Sequence, residues 1–179
     1  MAVDKKTTAP RLDYRNRFME VNHTRADFGA FQKDYFVVDL GPRAGVVAVK
    51  EGRVLLTRQY RFLVDAYAWE IPGGRVDEGE TPEQAVVREC IEETGVRCEG
   101  LEKLLTYYPG LDNFNNRTTL FSSARCEVVA PFRPDPAEVV EIRWMPLQEC
   151  LEMVFQGEIL DALTVAGLLA YQVGRVRRR

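Results

Sequence analysis

The sequence predicts an α/β fold, a mixed β-sheet with one helix in the middle of the chain and further helices at its end. Short runs rich in Val, Ile, Leu, Phe and Tyr recur between turn residues along most of the chain, as in strands. Apolar residues after residue 81 recur at helical spacing. Two further helical stretches, 147–156 and 161–173, close the chain.

The predicted strands are short and bounded by turn residues. Residues 1–12 are polar with an early proline, which predicts a loose segment. The Glu51-Gly52 pair between two apolar runs predicts a hairpin. The predicted strands are DYFVVDL (34–40), VVAVK (46–50), RVLLTRQYR (53–61), AYAWEI (66–71), LEKLLTYY (101–108), TTLFSSARCEVVA (118–130) and EVVEIRWMPL (138–147).

The central helix is predicted to run from Pro82 to Thr94. Thr81 can cap its start, and proline is favoured at the first helical position. Gly95 is placed to end it in the left-handed conformation.

Composition narrows the classes of function. A net charge of -3 and a pI of 5.4 argue against a general nucleic-acid binder. The sequence contains no run of 18 apolar residues, so we expect no membrane span. The first twenty residues lack the apolar region of a secretory signal. The single histidine, His23, excludes a three-histidine zinc site. The cysteines fit neither a zinc pattern nor a disulfide scaffold, which predicts a reduced, cytoplasmic protein.

The segment from Gly73 to Val96 is unusually acidic, with seven carboxylates and two arginines. On a helix, Glu89, Glu92 and Glu93 share one face, because they are three and four residues apart. Such carboxylates repel one another unless a cation compensates, and oxygen ligands suit Mg²⁺ or Mn²⁺. The alternative is a solvated acidic face.

The spacing favours the metal site. From Gly74 the segment runs Gly, five residues, Glu80, seven residues, then Arg88-Glu-Cys-Ile-Glu-Glu-Thr-Gly-Val. This resembles the Nudix box, Gly-x5-Glu-x7-Arg-Glu-U-x-Glu-Glu-x-Gly-U, where U is aliphatic. Cys90 at a U position is a soft departure, because cysteine behaves as a small buried hydrophobe. The resemblance implies an α/β/α sandwich and Mg²⁺-dependent hydrolysis, with Mn²⁺ as a possible substitute.

The resemblance also implies roles for individual residues. Glu89 and Glu93 correspond to direct metal ligands, and Glu92 to a residue that assists catalysis through water. The backbone carbonyl of Gly73 corresponds to a further metal ligand. The remaining positions correspond to the structural part of the box, in which Gly74 allows close backbone approach and an ion pair holds loop to helix: Gly74, Glu80 and Arg88.

Segments outside the box resemble ADP-ribose pyrophosphatases and related nucleotide-sugar hydrolases. They are LLTRQYR, WEIPGGRVDEGE, YYPGLDN, PAEVVEIRWMPLQE and DALTVAGLLAYQ, between Val46 and Tyr171. The resemblance implies that Arg61 contacts the diphosphate, and arginine suits a bidentate phosphate contact. It places Asp112, in the PGLDN loop, beside the ribose. The following FNNR is slightly long, which leaves the sugar preference open.

The catalytic base in that subfamily is a glutamate on a loop before a late strand. Glu138 matches this position, at a loop–strand junction, whereas Glu141 lies inside the predicted strand. Loop placement suits a group that must move to reach the attacking water. We therefore expect Glu138 to be the base, ahead of Glu141 and Asp135.

The resemblance divides the chain into a dimer-forming N-terminal β extension, residues 1–42, and a Nudix hydrolase domain, residues 43–179. Phe31, Tyr35 and Phe36 are available in the extension to stack on a base or to pack. The predicted protein is a homodimer that acts on a small nucleotide sugar. Hydrolysis of nucleoside triphosphates or capped RNA, and a non-catalytic nucleotide-sugar sensor, are the alternatives.

Overall fold

The computed structural model describes residues 4–177, which contain fourteen strands and three helices. A 3-10 turn, Phe62–Val64, joins the sixth strand to the seventh. The strands are β1 (Lys6–Thr7), β2 (Arg11–Arg15), β3 (Glu20–Asp27), β4 (Gln32–Asp39), β5 (Arg43–Lys50), β6 (Arg53–Arg61), β7 (Ala66–Glu70), β8 (Gly73–Arg75), β9 (Val96–Glu99), β10 (Glu102–Tyr107), β11 (Phe114–Asn115), β12 (Thr118–Ser123), β13 (Arg125–Val128) and β14 (Val139–Pro146). The helices are α1 (Pro82–Thr94), α2 (Leu147–Gln156) and α3 (Ala162–Arg177).

The chain divides into two compact units. The first comprises residues up to Pro42 together with Tyr108–Arg117, and the second comprises Arg43–Tyr107 and the residues from Thr118 onward. The segment 108–117 thus falls in the first unit, although it lies inside the predicted 43–179 domain.

The first unit is a β-sheet with the order β1-β3-β4-β11, in which β2 also pairs with β3. The predicted loose segment 1–12 is wrong over β1 and the start of β2, because both strands are paired with β3. Their order comes from backbone pairing with a neighbouring strand, which a polar local sequence does not reveal. Residues 1–3 of that segment lie outside the described residues.

The second unit confirms the predicted α/β/α sandwich with a mixed sheet. Its main sheet has the order β10-β12-β5-β6-β14, in which β12 and β5 are parallel and the other neighbours antiparallel. Central strand β5 is buried on both faces, as its unbroken apolar run predicts. Val46 packs in the cluster that includes α1, and Val47 packs with α2 and α3 on the opposite face.

Local signals predict most boundaries in this unit. Glu51 and Gly52 form the predicted hairpin turn with φ values of 52° and 75°, the left-handed conformation that such two-residue turns require. The predicted strand 118–130 is wrong as a single element, because it breaks at Ala124 into β12 and β13. Ser123 Oγ causes the break, since it accepts from Arg125 N at 3.1 Å and donates to Glu99 O at 2.6 Å.

Among the described residues, no helix is long and apolar enough to cross a bilayer.

Candidate active site

Helix α1 is held at both ends by the predicted caps. Thr81 Oγ1 accepts from Gln84 N at 3.2 Å, and Gln84 Oε1 accepts from Thr81 N at 2.8 Å, which forms a capping box. Gly95, with φ 73°, donates its N–H to Ile91 O at 2.8 Å. The helix therefore begins and ends at the predicted residues, and its acidic face has a fixed position relative to the sheet.

The two glycines of strand β8 lie where side chains would not fit. Strand β8 pairs with β5, and a Cβ on Gly73 would overlap the backbone oxygen of Ala44. A Cβ on Gly74 would overlap the carboxylate of Glu89. The glycine pair thus lets one strand lie close both to the sheet and to an acidic side chain of α1.

Glu93 is the most buried carboxylate on this face of α1. Its two oxygens accept hydrogen bonds at 3.1 Å from Gly73 N and from Gln59 Nε2. Burial raises the pKa of Glu93 to about 8, and the negative charges of Glu89 and Glu70 act in the same direction. Glu93 is therefore costly to ionise unless a positive charge is nearby.

Glu89 lies one turn before Glu93, with its carboxylate over Gly74. Burial is the main cause that raises the pKa of Glu89, and Glu92 contributes in the same direction. The neighbouring Arg88 opposes this shift, and its Nη1 donates to Glu89 Oε1 at 2.9 Å. The structure thus brings two partly buried carboxylates together beside the Gly73–Gly74 backbone.

Arg88 connects the loop that precedes α1 to the helix. It donates two hydrogen bonds to Glu80, of 3.0 and 2.9 Å, and one to the carbonyl oxygen of Arg75 at 3.1 Å. The same guanidinium donates to the exposed Glu92 at 3.0 Å. Glu92 consequently lies on the outer part of the acidic face, away from the more buried pair.

Arg61, at the end of β6, forms a bidentate ion pair with Glu70 of β7. Arg61 Nε donates to one Glu70 oxygen at 2.6 Å, and Nη2 donates to the other. The side chain of Glu70 is 8% exposed, whereas that of Arg61 is 44% exposed. The buried carboxylate of Glu70 therefore fixes the position of the Arg61 guanidinium, and the Arg61 side chain remains exposed enough to contact an anion.

Glu138 lies on an exposed turn directly before β14. Its N–H donates to Asp135 O at 3.0 Å, and Asp135 N donates to Val139 O at 2.8 Å. The next residue, Val139, pairs with Gln59 of β6, and the side chain of Gln59 donates to Glu93. Glu138 is thus connected to Glu93 through this strand pairing. Glu141, by contrast, is engaged in ion pairs within the strand region.

Asp112 lies on an exposed turn of the first unit, between Gly110 and β11. Its predicted contact with a ribose stays a prediction.

Two residues of the site were not predicted, Gln59 and Glu70. Gln59 lies two residues before Arg61 on β6, so the period of two in a strand places both side chains on one face. Glu70 is a charged residue in the otherwise apolar run AYAWEI, and a buried charge requires a partner. Both signals are present in the sequence beside Arg61.

The residues present fit a hard divalent cation. Within residues 4–177, no three Asp, Glu, His or Cys side chains converge in metal-ligand geometry. Glu89 and Glu93 instead supply two carboxylates, and Mg²⁺ commonly takes one or two carboxylates together with water and phosphate oxygens. Burial raises the pKa of both carboxyls and so disfavours their ionised form, which a bound cation would stabilise. The contact shown for Gly73 is made by its N–H, and the predicted role of its carbonyl stays a prediction.

A family model of the NUDIX domain matches residues 39–163. The chain belongs to this family. Nudix proteins generally use divalent metal ions, in keeping with the paired carboxylates on α1.

Relatives are found in several bacteria. A CMP-5'-(N-acetyl-N-hydroxy-3-aminopropyl)phosphonate hydrolase of Streptomyces rubellomurinus is 32% identical, over 89% of this chain and 78% of its own length. An ADP-ribose pyrophosphatase of Bacillus subtilis is 26% identical, over 96% of this chain and 95% of its own length. Among solved structures, an ADP compounds hydrolase superposes with a TM-score of 0.84 at 16% identity, over 99% of this chain and 98% of that one. This structural match shows that the two chains share a fold over nearly their whole length.

Proposed function

We propose that this Nudix hydrolase cleaves the diphosphate bond of ADP-ribose or a related nucleoside diphosphate sugar in a Mg²⁺-dependent reaction. The products would be a nucleoside monophosphate and a sugar phosphate. The observation that carries the proposal is the pair of partly buried carboxylates, Glu89 and Glu93, beside Gly73 and Gly74. The similarity to an ADP-ribose pyrophosphatase over nearly the full length of both chains supports the choice of substrate.

In this proposal, separate residues bind the cation, bind the diphosphate and accept the proton. Glu89 and Glu93 would hold the cation, which when bound neutralises phosphate charge and lowers the pKa of water. The exposed part of Arg61 would hold the diphosphate, oriented by Glu70. Glu138, on its exposed turn, would accept the proton of the attacking water.

The roles of Glu93 and Glu138 can be tested by substitution. Glu93→Gln removes a cation ligand while keeping the shape of the side chain, so we expect turnover to be abolished. Glu138→Gln should reduce turnover strongly while substrate still binds, because the lost group acts on the proton and not on the substrate. Glu83→Gln, an exposed glutamate in the first turn of α1, is the matched control. Full Mg²⁺-dependent activity in Glu93→Gln would refute the metal assignment, and an unchanged rate in Glu138→Gln would place the base elsewhere.

The substrate can be identified by direct competition. ADP-ribose, ADP-glucose, GDP-mannose, UDP-glucose and a nucleoside triphosphate would be offered together with Mg²⁺, and the products resolved by chromatography. A repeat with Mn²⁺ would compare the two ions. We expect the ADP-linked sugars to be consumed first, and preferential use of the triphosphate would refute the proposed substrate class.

A second candidate substrate is a CMP-linked phosphonate. It is favoured by the similarity to the CMP-5'-(N-acetyl-N-hydroxy-3-aminopropyl)phosphonate hydrolase of Streptomyces rubellomurinus, which is 32% identical to this chain. Both candidates join a nucleoside phosphate to a second phosphorus group, so the same acidic pair would serve either. A CMP-linked phosphonate added to the competition distinguishes them by the nucleoside monophosphate that is released, CMP from the phosphonate and AMP from ADP-ribose. Proteins named RNA pyrophosphohydrolase align with only 36% of this chain, and its net charge of -3 disfavours an RNA substrate.

We also infer that two copies pair through the N-terminal extension, residues 1–42. Large hydrophobic side chains of the first unit are exposed, among them Tyr14, Phe18, Phe31 and Phe36. Exposed apolar groups of this kind favour an interface with another protein surface. Light scattering coupled to gel filtration should give twice the mass of 20.4 kDa, and a monomer at micromolar concentration would refute the inference.

A further inference from the structure

Three of the four cysteines form a cluster between helix α1 and the strand pair of β9 and β13. Cys98 Sγ lies 3.7 Å from Cys90 Sγ and 3.8 Å from Cys126 Sγ. All are free thiols, and Cys90 and Cys98 are buried. None of them takes part in the proposed hydrolysis, so the cluster needs a separate account. The fourth cysteine, Cys150, lies in the core on the opposite face of the sheet.

Within the cluster, Cys98 and Cys126 have the geometry of a pair that can be linked. They are directly opposite each other in the antiparallel pair of β9 and β13. Residues opposite in such a pair have Cα atoms about 4.5 to 5.5 Å apart, within the range that a disulfide spans. Side chains of opposite residues point to the same face, and the sulfur–sulfur distance of 3.8 Å agrees with this. A bond would therefore need little backbone movement.

Cys90 has a different position. It is on α1, has no exposed surface, and its Sγ also lies 3.7 Å from Thr94 Oγ1 within the same helix. A bond between Cys90 and Cys98 would have to join the helix to the strand that follows it through the Gly95 turn. Closure of the distance between Cys98 and Cys126 would, in contrast, join two strands that are already paired.

The two strand cysteines differ in reactivity and access. Cys126 is partly exposed, and its contact with the Cys98 thiol lowers the pKa of Cys126, with Lys50 contributing in the same direction. Cys98 lies in the wall of an open cleft of 540 Å³ between α1 and β9, together with Val87 and Leu101. A small oxidant can thus reach the partly exposed Cys126, and the sulfur of the buried Cys98 lies within contact distance of the Cys126 sulfur.

We propose that Cys126 and Cys98 form a reversible redox site whose oxidant is a peroxide. The Cys126 thiolate attacks one peroxide oxygen, the O–O bond breaks, and the leaving oxygen takes up a proton, which gives a sulfenic acid on Cys126. The Cys98 sulfur then attacks the Cys126 sulfur, the S–O bond breaks, and water leaves with the proton of the thiol. Two thiols are oxidised to one disulfide, and one peroxide is reduced to two molecules of water or of water and alcohol.

The disulfide would link β9 covalently to β13, beside the hydrophobic core on which α1 packs. It would join two cysteines that are 28 positions apart in the chain, Cys98 and Cys126. By loop-closure entropy, a crosslink of this length raises the melting temperature of a chain of this size by about 10 °C. Reduction by a dithiol would restore the starting state.

The test uses the whole protein, metal-free and fully reduced, with one equivalent of hydrogen peroxide. We expect the reactive thiols to fall from four to two, the mass to decrease by about 2 Da, and peptide mapping to link Cys98 to Cys126. The melting temperature should rise and should return to its starting value with dithiothreitol. A link between Cys90 and Cys98, or oxygen addition without a disulfide, would overturn the proposal.

Variants identify the order of the two steps. In Cys98→Ala the sulfenic acid on Cys126 has no partner, and dimedone should label Cys126. In Cys126→Ala neither thiol loss nor labelling is expected at Cys98. Cys150→Ser is the matched control, a buried cysteine outside the cluster, and should form the same disulfide as the wild type. Dimedone labelling of Cys98 in Cys126→Ala would refute the assignment of Cys126 as the attacking thiol. The peptide map of the wild type tests the pair even if a variant does not fold.

Discussion

The substitution Glu93→Gln should make the metal-free protein more stable at neutral pH, even though it removes a group that we assign to catalysis. Burial and the charges of Glu89 and Glu70 hold the pKa of Glu93 at about 8, against 4.5 for an ordinary glutamate. The folded protein therefore keeps a proton on Glu93 that the unfolded chain has already released at pH 7. Stability is lost as pH rises from about 4.5 to about 8, because folding then requires uptake of this proton.

The size of the effect follows from the two pKa values. Each pH unit in the window between them reduces the free energy of unfolding by about 1.4 kcal/mol, so the loss at pH 7 is about 3 kcal/mol. Glutamine does not ionise and avoids this loss. It offers one acceptor oxygen where the Gly73 and Gln59 donors each bond a carboxylate oxygen, which costs about 1 kcal/mol. Glu93→Gln should thus be about 2 kcal/mol more stable than the wild type at pH 7 and about equal to it at pH 5.

The assay is urea unfolding at pH 5 and pH 7 with EDTA present, followed by far-UV circular dichroism. Glu83→Gln changes an exposed carboxylate of the same helix and should show no comparable pH-dependent gain. Addition of Mg²⁺ should then stabilise the wild type but not Glu93→Gln, because a ligand stabilises only the state that binds it. A difference between variant and wild type that is the same at both pH values, or a variant less stable at pH 7, would refute the reasoning.

Three further predictions concern the same site. Mg²⁺ binding at pH 7 should release about one proton, because Glu93 must lose its proton before it can bind the cation. The affinity for Mg²⁺ should for the same reason rise with pH up to about 8. Calorimetry in two buffers of different ionisation enthalpy measures the number of protons released. Gly74→Ala should weaken Mg²⁺ binding with little effect on stability, because the new Cβ meets the movable carboxylate of Glu89. Gly73→Ala should lower the free energy of unfolding by about 1 to 3 kcal/mol, because its new Cβ meets the rigid backbone of Ala44. Equal unfolding midpoints for the two variants would contradict this reasoning. Arg61→Lys should raise KM about tenfold or more with a smaller change in kcat, because lysine lacks the planar fork of arginine, and steady-state kinetics would show otherwise if kcat alone fell.

Local sequence patterns predict the elements that carry the acidic site. The Thr81 cap, Pro82 and Gly95 place both ends of α1 correctly, because capping depends on residues adjacent in the chain. The bounds of β6 are also predicted, and its start follows from the Glu51-Gly52 turn that precedes it in the chain. By contrast, the short strands of the first unit escaped prediction, because their order depends on pairing with β3 and not on their own residues.

The sequence by itself determined the family, the α/β/α sandwich and the helix face that presents Glu89, Glu92 and Glu93, because spacing along one chain is enough to specify a helix face. Only the tertiary structure decided which of these glutamates is costly to ionise. Burial depends on what packs around a side chain, and here Gly73, Gly74 and strand β6 enclose Glu89 and Glu93, whereas Glu92 stays exposed. The contacts of Gln59 with Glu93, of Glu70 with Arg61 and of Cys98 with Cys126 join residues far apart in the chain or on different strands, so they too required the folded molecule.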